Sequence, residues 1–93
     1  MKRPRVEAEH ELRSLCNVGP ATLGDLFLIG VHSVADLAKR DPQEMFHALE
    51  KATGHKQNIC MLDLFHAIVR EGRTGERRPW HYYSALRRGA ERK

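Results

Sequence analysis

Aromatic residues are scarce in this chain of 93 residues, at 6%, and cysteine occurs only at Cys16 and Cys60. A domain this small buries about 60–65% of its unfolded surface, so its core is thin. A thin core leaves little room for an internal substrate pocket, which argues against an enzyme before any motif is read. Two cysteines make no disulfide framework, and both lie among apolar neighbours, so they are read as reduced, buried thiols of a cytoplasmic protein. No apolar run approaches the ~18 residues that a membrane span requires. The opening MKRPRVEAEHE also lacks the apolar segment of a secretion signal, so no membrane partner is expected. Strand-like alternation and internal repeats are missing too, which leaves an all-α reading of 1–93 as a single helical domain.

Catalytic and cofactor signatures are equally thin. NVGPAT is not followed by Gly-Lys-Ser/Thr, so it is no nucleotide-binding loop. Asp36, Asp41, Glu44 and Asp63 form no acid pair of readable spacing, and helix capping accounts for the first three. His10, Cys16, Cys60 and His66 show mirrored spacings, His-x5-Cys and Cys-x5-His, but zinc ligands pair more tightly. Nothing nearby activates a thiolate for a Cys-His catalytic pair. His32, His47, His55 and His81 are scattered and are placed at surfaces or helix ends. The chain is therefore read as a non-enzyme with neither cofactor nor metal.

What the chain does have is an uneven charge. Residues 1–5 carry three basic groups and no acid, and residues 70–93 carry eight against three acids. The intervening residues 6–69 hold five basic groups against nine acids. Affinity for nucleic acid without sequence preference comes mostly from Lys and Arg at phosphates, so the ends carry that potential and the body does not.

Apolar spacing and capping chemistry predict five or six short helices. After a charged lead-in, the first runs from about Val6 to Cys16, with Leu12, Leu15 and Cys16 on one face. The second begins at Pro20, carries Leu23, Leu26 and Phe27, and ends at Gly30 through a left-handed residue. Ser33 caps a third helix that turns Val34, Leu37 and Ala38 inward. Asp41-Pro42-Gln43-Glu44 opens a fourth, with Met45, Phe46 and Leu49 buried and Gly54 closing it. The fifth, about Gln57 to Glu71, presents Ile59, Cys60, Leu62, Phe65, Ile68 and Val69 over a wide arc and is the expected central element. Gly72 to Pro79 reads as a polar connector, Pro79 to Leu86 as a last short helix, and RRGAERK as a fraying end.

The stretch Leu12 to Gly30 organises the rest. Asn17-Val18-Gly19-Pro20 suits a tight turn between two helices, because Asn and Gly tolerate positive φ and Pro favours a first helical position. Such a turn offers the amides of Val18, Gly19, Ala21 and Thr22 to one phosphate; Pro20 has no N–H. Arg13 is the local cation and Asp25 opposes it. The bland alternative is a structural turn that lets two helices cross.

The segments LCNVGPATLGDLFLIGVHSVADLAKRDPQEMF and GHKQNICMLDLFHAIVREGRTGERRPWHYY together resemble small bacterial pathogenicity-locus or mitomycin-resistance proteins. The first looks like a helix-hairpin-helix unit completed by the short helices of a SAM-like bundle. The carboxy-terminal domain of the competence regulator TfoX is a more distant likeness. The resemblance covers roughly residues 10–88 and implies a bacterial, all-helical, DNA-associated protein with no established enzymatic activity. Two departures stand out: Asn17 replaces the first usual hairpin glycine, and bulky Leu23 stands where a small residue is common. Asn keeps the turn accessible, whereas Leu23 is expected to spread the helices.

The basic segment from about residue 73 to 93 supplies the second candidate surface. Arg73, Arg77 and Arg78, with Arg87 and Arg88, surround Trp80, Tyr82 and Tyr83, so cations for phosphates are interleaved with rings that stack on unpaired bases. In a small domain the favoured fate of Trp80 and one tyrosine is to dock on the fifth helix and seal the core. Two functions stay open. One is an accessory protein that binds DNA backbone through Arg13, Asn17, Val18, Gly19, Ala21, Thr22, Arg73, Arg77 and Arg78. The other is a protein-interaction module, pairing with itself or another protein, in which the hairpin is structural.

Overall fold

The fold, taken from a computed structural model, is described over residues 10–91. Six helices follow one another: α1, described over residues 10–13, α2 (Pro20–Leu28), α3 (Val34–Ala38), α4 (Pro42–Thr53), α5 (Ile59–Thr74) and α6 (Trp80–Glu91). The bundle is all-α, as expected, with no strand among the described residues. Nor is any helix among them long and apolar enough to cross a membrane.

Local capping chemistry delimits most of these helices. Gly30, at φ 84°, ends α2: its N–H donates to the Phe27 carbonyl at 3.1 Å while Val31 N–H reaches back to Leu26 at 2.9 Å. That pair of bonds satisfies carbonyls that the helix end would otherwise leave open. Ser33 Oγ accepts from Asp36 N–H at 3.0 Å, and Asp41 Oδ2 accepts from Glu44 N–H at 3.0 Å. Gly54, at φ 72°, closes α4.

The ends of the other helices differ from expectation. The segment Val6–Glu9 of the first helix lies outside the described residues. Its far end comes at residue 13, not at Cys16: Leu15 N–H donates to Leu12 and Val18 N–H to Leu15, so the chain tightens into i−3 bonds. Cys16 thus leaves the helical face, and both cysteines are half-buried thiols. Asn58, unnoticed as a cap, starts α5 by accepting from Cys60 N–H at 2.9 Å. The expected arc on α5 is too wide, since Ile59 is 44% exposed and Leu62 only half-buried.

Nor does Gly72 begin a connector; α5 runs through it to Thr74. A Cβ at Gly72 would lie 3.5 Å from Leu37 Cδ2 and 3.6 Å from Val34 Cγ1, so the glycine faces α3 across a close approach. Gly75, at φ 77°, is the actual stop. Helix α6 likewise continues past Leu86 to Glu91 where fraying was expected.

Helix α5 packs against α3, α4 and α6, and α2 packs against α4, so α5 is the central element. The apolar core joins Leu12, Leu26, Leu37, Met45, Leu49, Phe65 and Ile68, all with no exposed surface. Leu23 packs half-buried against this cluster. No described side chain of α6 belongs to it. Trp80 therefore does not seal the core: it is 36% exposed, and Tyr83 is the half-buried ring, stacked on His66 at 6.4 Å. The six histidines are all exposed.

Candidate nucleic-acid interface

Asn17 holds the turn in the left-handed region, at φ 74°, the one described non-glycine residue that does so. Asparagine takes this conformation at lower cost than most side chains. Its side chain then does something a glycine would not. Asn17 Nδ2 donates to the Arg78 carbonyl at 2.9 Å, and Trp80 N–H donates to Asn17 Oδ1 at 3.1 Å. One amide thus spans the turn and the start of α6, and caps that helix from a residue far away in the chain. The departure from the usual glycine has a structural reason in this cross-link.

Buried Glu71, on α5, ties the same parts together. Its Oε1 accepts from Cys16 N–H at 2.9 Å, and its Oε2 lies 3.6 Å from Arg77 Nε. Arg77 Nη2 also donates to the Ser14 carbonyl at 3.2 Å. Arg78 pairs with Glu76, and its guanidinium lies over the Tyr82 ring, 4.4 Å from the centroid. Hydrogen bonding from Arg78 holds the Glu76 carboxyl below the usual range, with Arg70 at 3.4 Å adding to the effect. Three arginines thus share two carboxylates beside the turn, which leaves this patch positive.

The amides divide unevenly. Val18 N–H is already used, donating to Leu15 at 3.3 Å, and Val18 is buried; it is removed from the expected phosphate contacts. Gly19 is the N-cap of α2, with no side-chain cap and no acid in the first turn. By contrast, Ser33, Asp41 and Asn58 cap their own helices with side chains. At φ −100° and ψ −176°, Gly19 has a backbone that any residue adopts, and a Cβ there would meet nothing within 4 Å. Conformation and packing therefore leave the glycine unexplained, while its effect is to leave the amides of Gly19, Ala21 and Thr22 without a capping side chain. Asp25 lies one turn further on, and burial pushes its carboxyl above the usual range.

The fold thus brings Arg77 and Arg78 to Ser14 and Asn17 at the turn, and Gly19, Ala21 and Thr22 follow that turn in the chain. Arg13 adjoins them in the chain, is exposed, and has no hydrogen-bond or ion-pair partner among the described residues. Arg73 is elsewhere: its Nε donates to the Ala38 carbonyl and its Nη2 to that of Arg40, both at 2.8 Å. It neutralises the C-terminal end of α3 and leaves the predicted surface. Among the described residues no three His, Cys, Asp or Glu side chains come together to hold a metal.

The profile of the pathogenicity-locus family matches residues 5–89. The chain belongs to that family. It is also similar to the mitomycin resistance protein McrB of Streptomyces lavendulae, at 31% identity over 78 residues, which covers 84% of this chain and 74% of that protein. No solved structure matches significantly.

Sequence reasoning missed a second polar cluster of this pathogenicity-locus chain. Asp63, 1% exposed, accepts from Ser84 Oγ at 2.5 Å and from Arg87 Nε at 3.1 Å. It is the single acid within the apolar run ICMLDLFHAIV. An acid embedded in a core stripe, with Ser84 and Arg87 three residues apart on a following helix, was the available signal.

Proposed function

We propose that this protein is a small cytoplasmic accessory protein that binds DNA through its backbone, with little sequence preference and no catalytic role. The contacts come from a helix-hairpin-helix-like turn, through the amides of Gly19, Ala21 and Thr22, and from the adjoining basic segment with Arg77 and Arg78. One observation carries this reading: Asn17 fastens residues 78–80 to the turn that leads into the uncapped start of α2. A phosphate there meets oriented amides, the positive end of a helix dipole and guanidinium groups together.

Fluorescence anisotropy with labelled duplex and single-stranded DNA tests it. Log affinity is expected to fall by about 0.9 per duplex phosphate neutralised for each tenfold rise in salt. Gly19→Asp is the sharpest variant, because a carboxylate at the N-cap satisfies the amides itself: stability stays level or rises by about 0.5 kcal/mol while DNA affinity drops. No saturable binding at low salt ends the proposal.

A protein-interaction module is the second reading, favoured by the engagement of Arg77 and Arg78 with Glu71 and Glu76. Light scattering and a pull-down address it. A strict monomer with no retained partner counts against it.

A further inference from the structure

Helix α6 leaves two large rings in solvent at its start: Trp80 is 36% exposed and Tyr82 37%. Neither belongs to the apolar core, and polar and ring contacts elsewhere fasten the helix down. The Asn17 side chain, the Asp63 cluster and the Tyr83 ring on His66 do that. Burial in a small domain normally claims such apolar area, so rings left out are surface available to a partner.

The surroundings state what kind of partner fits. Arg77 and Arg78 stand just before Pro79-Trp80, and the Arg78 guanidinium already lies over the Tyr82 ring. Residues 70–93 carry eight basic groups against three acids. The complementary ligand is a polyanion that also presents flat apolar faces. Duplex DNA offers the charge but keeps its base faces stacked inside; a single strand offers both. Positions 80 and 82 are about 200° apart around the helix, so the two rings offer separate stacking surfaces on opposite sides of its first turn.

We infer that this protein prefers single-stranded to duplex DNA, with unpaired bases stacking on Trp80 and Tyr82 while Arg77 and Arg78 meet the flanking phosphates. The inference rests on the DNA-binding reading above and adds the form of the nucleic acid.

Trp80 is the only tryptophan in the chain, so its emission reports on the site directly. The full-length protein is titrated at low salt with an oligothymidine and with a hairpin duplex of equal nucleotide number. Tighter binding of the oligothymidine, with quenching of Trp80 that the duplex does not produce, is the expected result. Tyr82→Ala, at an outward position, should weaken oligothymidine binding by about 5- to 150-fold, the range for one lost base stack, and leave duplex binding within about twofold. Circular dichroism verifies that the variant is folded. Equal affinity for the two DNAs with unchanged emission overturns the stacking while leaving backbone binding intact. Absence of binding to either overturns both.

Discussion

From α2 to α5 the helices meet through apolar side chains such as Leu26, Leu37, Met45 and Phe65, whereas α6 lies along α5 outside that cluster and adds bonds to Asn17 and Asp63 and a ring contact with His66. Apolar contact is non-directional and scales with area, so the first region stands on the sum of many small gains. The second adds a few directional bonds, each of which is lost whole when one partner goes. The bundle thus combines an oily body with a basic helix fastened by polar anchors. The proposed nucleic-acid surface lies at the junction, where Asn17 belongs to both.

Breaking the body should cost most. Phe65→Ala removes a fully buried ring from the centre of α5 and is expected to destabilise the whole bundle by about 3–5 kcal/mol. Denaturant unfolding would show a lower midpoint with α2 to α6 lost together. Since small domains have only about 5–15 kcal/mol in total, this variant approaches unfolding.

Asp63→Ala comes next and tests the anchor of α6. It removes the carboxylate that holds Arg87 and the Ser84 hydroxyl, at a cost of about 2–3 kcal/mol. That is less than for a fully enclosed pair, because the Arg87 side chain is 24% exposed and water recovers part of the loss. Hydrogen exchange should quicken along α6 first; uniform acceleration through α2 to α5 would show that the two regions unfold as one.

Asn17→Gly isolates the cross-link from the turn. Glycine keeps φ 74° accessible while removing the two bonds to residues 78 and 80, so about 1–2 kcal/mol of α6 attachment is lost without strain at the turn. DNA affinity should fall along with protection of the α6 amides. Unchanged protection would mean that Asp63 and the Tyr83–His66 contact hold the helix without Asn17.

The smallest effect belongs to the rim of the body. A hydrogen bond from Arg40 holds the Glu44 carboxyl below the usual range, while the same guanidinium donates to the Ile29 carbonyl at 2.7 Å. A lowered folded-state value means that this stability is present above the ordinary glutamate range and is lost as pH falls through the folded value. With Glu44 half exposed, the contribution is below about 0.5 kcal/mol. Thermal melts of Glu44→Gln should show a slightly shallower decline on acidification than the parent.

Element by element, legibility tracked distance along the chain. Ser33, Asp41, Gly30 and Gly54 were readable because a cap and its partner lie within a few residues, so the sequence displays both. Asn58 followed the same chemistry and was passed over. Gly72 misled because glycine signals a stop unless a neighbouring helix needs the space, and Val34 and Leu37 are far away in sequence. RRGAE looked like a fraying end because the residue that fastens Arg87 is Asp63, on another helix. At the candidate site, the sequence named Asn17, Gly19, Arg77 and Arg78 but not their proximity, which the bonds of Arg77 to Ser14 and of Asn17 to Arg78 supply. Arg73 was not separable from them, since only folding turns it onto the carbonyls that end α3.

The sequence alone determined the all-α class, most helix starts and stops, the left-handed turn at Asn17 and the basic bias of the last residues. These follow from short-range sterics, capping and composition. Tertiary structure decided that α5 outlasts its glycine, that Asp63 and Glu71 are buried as anchors, and that Val18 has no amide to offer. It also decided that Arg77 and Arg78 lie beside the turn. Each of these depends on a polar or close-packed partner from another helix, and such pairings exist only once the helices have been placed against one another.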